Sequence, residues 1–580
     1  MEVLIQSLAR IQLGTNGDTA GAAGHFRSSD SDSPFGPRAN YAILNSILAA
    51  LLFASSSTAQ ATTFNAASPS LADVRAVIAS AANGDTVAIP AGTATWTSTL
   101  NVTKAITLAG AGIGQTIIRD NIPRGRSSSI INWTLQASRP SRMTGIEFQN
   151  VASSESFVGA IMVVGSESDS QTMRIDHCAF TNLLVPAIQI EGALGVADHN
   201  TFTFSHSGIG IEVKHNGWGG RSYGDGSWAD RPYFGTSKFF FFEDNTFNNN
   251  SGVQTGGNID SFGGGRYVAR HNIFNNALAN THGTESGGRQ RSVRAIEIYN
   301  NAFNFTFPAT AGQIRGGTAL IHDNVYTGQI NSGMSLHCYR QYFPFNIWGG
   351  ASGINPWDLN DPHGSYATGT HTAAQSNRVL IDSHAHWATN QWTGYSLTNT
   401  VTGRASFITG NTATTITYAF DNTYDPNGNL VFQPGDGYAI CRIGAALDQP
   451  GRGKGDLITG DTPRNSTTRT AAWPHQVFEP IYSWNNTING SNVNIQSVFP
   501  TIQENRDYYN QTAMPGYISF TYPHPLTTGA QPTASTSYPH DYHKKGNKKW
   551  GKLKRRKWGG SKENSANVTI ERFAPDQQSK

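Results

Sequence analysis

A short phrase recurs along the middle of this chain and limits what it can fold into. It reads DHCAF at 176–180, DHNTF at 198–202, EDNTF at 243–247, RHNIF at 270–274, YNNAF at 299–303 and HDNVY at 322–326. Each copy ends on an aromatic: Phe180, Phe202, Phe247, Phe274, Phe303 and Tyr326. Two places earlier stands Cys178, Asn200, Asn245, Asn272, Asn301 or Asn324. The aromatics are 22, 45, 27, 29 and 23 residues apart, and the longest interval is about two turns of the shortest. A period in this range signals a solenoid whose repeats stack on their neighbours. Residues before the Asn alternate, as in Ile296-Glu-Ile-Tyr, which marks strands. The expected architecture is all-β, a parallel β-helix with coils roughly 4.8 Å apart. One Asn per coil then forms a ladder that satisfies buried polar groups. That column is scaffold, and His177, His199 and His271 share its phase.

Composition agrees. Of 580 residues, 61 are Gly and only 14% are charged, which suits β coils and tight turns. Cys178, Cys338 and Cys441 make no disulfide framework and show no metal-ligand spacing. The net charge of +3 hides an asymmetry. Residues 543–557 carry nine Lys or Arg and no acid, so the rest is mildly acidic.

The chain divides into five parts. Residues 1–61 hold a polar leader, then Arg38, an apolar stretch from Tyr41 to Ala54 and the small-residue end Thr58-Ala59-Gln60-Ala61. That layout predicts a secretory signal and a secreted, periplasmic or cell-surface bacterial protein. Residues 62–376 are expected to form the β-helix, opening with a capping helix N-capped by Ser70 that faces inward through Leu71, Val74, Ile78 and Ala81. A small antiparallel β module is expected at 377–445. The β-helix continues over 446–526, with Asn486 back at the ladder position. Residues 527–580 read as a disordered basic tail suited to an anionic surface. Nothing points to nucleic acid, and a monomer is expected.

Clustered titratable residues mark where chemistry could sit. Strands that open each coil are expected near 187–191, 209–214, 253–260, 281–286, 313–316 and 333–340. Asp260, His282 and Glu285 fall on or beside them, with Arg266, Arg289 and Arg291 in the turns after them and Arg294 as a further substrate-binding candidate of the same stretch. Lys214 and His215 precede them, and Arg315, His337 and Arg340 follow. A face so rich in cations suits a polyanion, here an acidic polysaccharide. Trp218, Trp228, Tyr233 and Trp348 sit in flanking loops, where they could stack on sugar rings or pack the loops down. Asp225, Asp230 and Asp260 could offer oxygens to Ca²⁺. The His384-Ala-His386 pair reads as exposed histidines.

Three stretches resemble the pectate-lyase-like right-handed parallel β-helix family. The opening GDTVAIPAGT followed by ITLAGAG is similar to its N-terminal coils. RIDHCAF at 174–180 is similar to its WIDH element, and RQRSVRAIEIYNN at 289–301 to its RxPRxRxGxxHxYNN segment, without the Pro and with Glu297 in place of His. The resemblance implies a right-handed coil and a polysaccharide lyase acting by β-elimination on a uronic-acid polymer such as pectate or alginate. Arg289, Arg291 and Arg315 would neutralise charge, and Lys214, His282 or an arginine would be the base. A glycoside hydrolase using Glu212, Asp260 and Glu285 is the alternative enzyme. A non-catalytic carbohydrate-binding adhesion protein is the alternative without chemistry.

Overall fold

The computed structural model describes residues 61–529 except 124–127, 138, 152–158, 169–170, 184–185, 206–208, 255–256, 285–289, 340–364, 394, 419–429, 444–446, 454–476, 498 and 500–501. The expected signal segment, the basic tail, Glu285, Arg289, Arg340 and Trp348 lie outside the described residues. No described helix is long and apolar enough to cross a membrane.

The chain is a parallel β-helix. Among the described residues three sheets run along it, two of twelve strands and one of six, parallel except for a terminal pairing of Thr487–Ile488 with Ser491–Asn492. The first carries the strand before each ladder turn, such as Leu194–Asp198, Phe240–Glu243 and Arg266–Arg270. The second carries the strand after it, such as Thr201–Phe204 and Thr246–Asn249. The third comprises Leu100–Val102, Ile131–Thr134, Ile161–Val164, Ile188–Glu191, Ile211–Lys214 and Asp260–Ser261.

Later coils differ from the expected three-strand pattern. The segments near 313–316 and 333–340 do not open new strands. They end the unbroken strands Ala302–Ile314 and Val325–Leu336, which bend at register shifts between Phe305 and Thr310. Pro308, which has no N–H to give to the ladder, lies within the shifted register of Ala302–Ile314.

The ladder runs Asn200, Asn245, Asn272, Asn301, Asn324, Asn486. Each Oδ1 accepts both the backbone N–H and the side-chain amide of the preceding Asn, at 2.9–3.2 Å. Asn200 Oδ1 likewise accepts from Cys178 N at 2.9 Å, so the cysteine ends the column. Each amide also donates to a carbonyl of the preceding coil, as Asn272 Nδ2 does to Phe242 O at 2.9 Å. Inside, Phe148, Phe180, Phe202, Phe247, Phe274, Phe303 and Tyr326 stack with centroids 4.4–5.5 Å apart.

The residue before each Asn is left-handed: His177, His199, Asp244, His271, Asn300, Asp323 and Asn485 have φ of 50–57°. Asn, Asp and His tolerate that region better than other side chains. This backbone demand accounts for the histidines of the repeat.

At the N-terminal end, helix Leu71–Ser80 buries Val74 and Ile78, and Ser70 Oγ accepts from Asp73 N at 3.2 Å. It stops at Ala81, before Gly84. Lys104 Nζ donates to the carbonyls of Ile78, Ala79 and Ala81, satisfying groups a helix end leaves open. Farther on, an antiparallel sheet spans strands from Ala367–Thr370 to Gly437–Ile443 around Leu380, Leu397, Ile408, Ile416 and Phe432. Its first strand starts ahead of residue 377.

Residues 514–528 lie across the outer face of the first sheet. Arg270 donates to Phe520 O and Thr521 O, Arg174 donates to Thr527 O at 3.1 Å, and His524 N donates to Glu243 Oε1 at 2.7 Å. Under this strap Glu297 accepts from Gly235 N at 2.8 Å and from the Tyr517 hydroxyl. Burial pushes the Glu297 carboxyl up to about 7, although those donors and Arg270 pull it down.

Two outcomes follow. Asn272→Ala strands the Asn245 N–H and amide in the interior and should cost about 2–4 kcal/mol in chemical denaturation. For Glu297 the folded-state value lies above the unfolded one of 4.5. Its contribution is therefore fully present below about pH 4.5 and lost as pH rises through about 7. Glu297→Gln should remove that slope, gaining up to about 3 kcal/mol at pH 8 and nothing at pH 4.

Candidate functional site

The outward side chains of the third sheet form two rows. Register pairs Gln189 with Glu212 and Glu212 with Asp260, and beside them Glu191 with Lys214. The next coil continues this register, with an Ile259–Ala279 bridge and His282 N donating to Ser261 O at 2.9 Å. One row is thus Gln189, Glu212, Asp260, Asn280. The other is Glu191, Lys214, Phe262, His282.

The rows are cross-linked. Lys214 Nζ sits 2.6 Å from Glu212 Oε2 and 4.4 Å from the Phe262 ring centre. His282 turns Nδ1 to Asp260 and meets Phe262 edge-on at 6.0 Å. Asp260 also accepts from Ser261 N at 2.8 Å and is fully buried, whereas the His282 side chain keeps 18% exposure. Lys214 and His282 therefore flank Phe262, about two strand spacings or roughly 10 Å apart.

More carboxyls border this patch. Glu191 accepts from Asn216 N and Nδ2, both at 3.0 Å, while burial raises its pKa against the pull of Lys214. Glu167 stands at φ 56°, unusual for Glu, with its N–H on Gly192 O. Burial and then Glu191 push its carboxyl up to about 7. Beneath, His215 is fully buried, and burial with the Arg266 cation pushes it down to about 3, so it stays neutral.

The described arginines expected on a substrate face, Arg266, Arg291, Arg294 and Arg315, are buried. Arg266 donates to Ser227 Oγ and to the carbonyls of Ser227, Arg231 and Pro232, all at 2.9 Å. Burial, then Arg294, lowers it to about 9. Arg291 makes a bidentate pair with Asp448 at 2.7 and 2.8 Å and reaches Asp225 at 3.2 Å. Burial pulls its pKa down, but Asp448 and Asp225 more than offset this, so it is held protonated and cannot act as a base. Arg294 is bound to Asp230 O and Glu479. Arg315 is 8% exposed over Tyr339, and His337 Nε2 meets Ser335 Oγ at 3.0 Å.

These cations hold down the loop after Lys214. Arg266 stacks 4.4 Å from Trp218, and Arg291 and Arg294 lie 4.9 and 5.6 Å from Trp228. Trp218 Nε1 and the Tyr233 hydroxyl donate to Asp230, and Trp228 Nε1 donates to Ser292 O. Both tryptophans are buried, so of the two expected roles they take loop packing. Left-handed Gly224 faces Gly263, where a Cβ would come within 2.5 Å of the carbonyl carbon.

The aspartates considered for Ca²⁺ do not fit a common ion. Asp225 pairs with Arg291, Asp230 serves the loop and Asp260 holds His282. Among the described residues no three His, Cys, Asp or Glu converge as a ligand set. His384 is 86% exposed, as expected.

Sequence reasoning missed Glu167, Glu191 and Phe262. Aligning QIE at 189–191 with EVK at 212–214 would have exposed the rows, since equal positions share a face.

No protein-family model matches this sequence, and no curated protein matches it. Among solved structures it is similar to a mutant of the PL6-family alginate lyase AlyGC, at 14% identity and TM-score 0.29, covering 52% of this chain and 41% of that one. It is also similar to ORF18 of Geobacillus virus E2, at 13% identity and TM-score 0.28, covering 67% of this chain and 80% of that one. The strand pairings themselves establish the fold, and the site stands on its own geometry.

Because Arg291 is a buried pair partner, Arg291→Ala should leave the buried carboxylates of Asp448 and Asp225 without their counter-charge. The expected loss is about 3–5 kcal/mol in chemical denaturation, not a selective loss of turnover in a normally stable protein.

Proposed function

We propose that this chain is an enzyme that cleaves a uronic-acid polysaccharide by β-elimination on the outer face of the third sheet. The observation that carries this reading is the Asp260–His282 pair set across Phe262 from Lys214. A buried carboxylate on Nδ1 fixes the imidazole and leaves Nε2 as the base, an arrangement that also stabilises the imidazolium once formed. Lys214 supplies a cation for the substrate carboxylate.

The chemistry needs both. Neutralising a uronate carboxylate acidifies the C–H beside it. His282 Nε2 takes that proton, the electron pair forms a C=C bond, and the glycosidic oxygen one carbon further leaves. The departing oxygen takes a proton from water or from Lys214. The described arginines are buried, which leaves Lys214 and His282 as the partly exposed candidates, and of these His282 is the one whose ring a fully buried carboxylate orients.

Hydrolysis is the second reading, because Glu212 and Asp260 stand in register on neighbouring coils. Each is engaged by a cation-forming partner, which favours a supporting role.

The test is to incubate the purified protein with polygalacturonate, alginate and a glycosaminoglycan, with and without Ca²⁺. Ultraviolet absorbance of new unsaturated ends is expected on one of them. His282→Gln should lower kcat by about 10²-fold or more at unchanged melting temperature. Lys214→Met should act mainly on kcat/KM. Reducing ends without unsaturation would establish hydrolysis instead, and loss with Lys214→Met but none with His282→Gln would exchange the two roles.

A further inference from the structure

We propose that His177 and His199 form a surface site for a borderline divalent transition metal such as Ni²⁺, Cu²⁺ or Zn²⁺, independent of the polysaccharide site. The two rings lie on adjacent coils, parallel within 4° and 5.1 Å apart. Their side chains are 58% and 51% exposed. Each turns Nδ1 to the fully buried carboxylate of the residue before it, Asp176 at 2.8 Å and Asp198 at 3.0 Å. Arginines lock those carboxylates in turn: Arg142 holds Asp176 at 2.6–2.7 Å, and Arg174 holds Asp198 at 2.8–2.9 Å.

A carboxylate on one imidazole nitrogen fixes the tautomer and the ring orientation, so the other nitrogen presents its lone pair. Here two such nitrogens are presented side by side on a rigid sheet edge. The nitrogens stand roughly 3.3 Å apart in a tetrahedral Zn²⁺ site with bonds of 2.0–2.1 Å and about 2.9 Å apart at cis positions of a tetragonal Ni²⁺ or Cu²⁺ shell. With the ring centroids 5.1 Å apart, binding requires each ring to tilt toward its neighbour by roughly 1 Å at the tip. Among the described residues no third His, Cys, Asp or Glu joins the pair, so water would complete the shell. With two neutral nitrogen ligands the affinity should be modest, in the micromolar range.

The left-handed backbone of the repeat does not by itself explain this pairing. His271 has the same backbone, but it follows Arg270 and is covered by Tyr522 at 3.8 Å. His322 lies buried between Tyr299 and Trp484. The Asp-His pairing with an exposed ring occurs in register at 176–177 and 198–199.

The test is calorimetric titration of the full chain with Ni²⁺, together with the electron paramagnetic resonance spectrum of bound Cu²⁺. One ion per chain is expected on this pair, with two nitrogen ligands in the Cu²⁺ spectrum. His177→Asn and His199→Asn keep a residue that tolerates the left-handed backbone, and each should weaken binding at least tenfold. The double variant should abolish it, and a His384→Asn/His386→Asn variant should leave it unchanged. Absence of binding to the unaltered chain, or undiminished binding to the folded double variant, would overturn the proposal.

Discussion

The left-handed turn capped by an asparagine holds the molecule in register. A parallel coil must turn between its first and second sheets without stranding backbone groups inside, and each Asn Oδ1 meets that demand by taking two donors from the preceding coil. The residue ahead of it bends the chain at φ near 55°. Those paired demands set two of every five residues of the repeated phrase. They also keep Phe180 through Tyr326 stacked, since a slip of one residue would turn each ring outward.

With the coils so fixed, outward side chains become rows, and what covers a row decides what it can do. On the first sheet, residues 514–528 and the loop after Lys214 cover the face. The cations there, Arg266, Arg270, Arg291 and Arg294, are consumed by carbonyls and by Glu243, Asp448 and Glu479. Burying a guanidinium is expensive unless its donors are met, and here each has several partners. On the third sheet the described residues leave Lys214 and His282 partly exposed. The cation count that suggested a polyanion-binding face was real, but most of those charges hold loops in place.

Legibility followed the range of the interactions. The ladder, the aromatic stack, the Ser70 cap and the return of the coil at Asn486 were readable because each rests on a residue type demanded by local backbone. The roles of Arg291 and Arg294 were not, because their partners lie 157 and 185 residues away, at Asp448 and Glu479. An arginine in a cation-rich stretch looks the same in sequence whether it faces a substrate or a distant aspartate. The strands after Asp260 were misjudged for a related reason. Ala302–Ile314 runs on as one strand through a register shift at Pro308, a residue that in sequence looks like the end of a strand.

The histidines show how one residue type separates into three roles. At the ladder turn the backbone selects His for its tolerance of positive φ, and the Asp before it decides whether its outer nitrogen is set for coordination. At His215, complete burial beside Arg266 leaves a neutral ring with no route to solvent. At His282 neither applies: the ring stands beyond the regular strands of the third sheet, oriented by Asp260 and bordered by Phe262. Its place is set by a buried carboxylate and one aromatic neighbour, and it is on this ring that the proposed elimination rests.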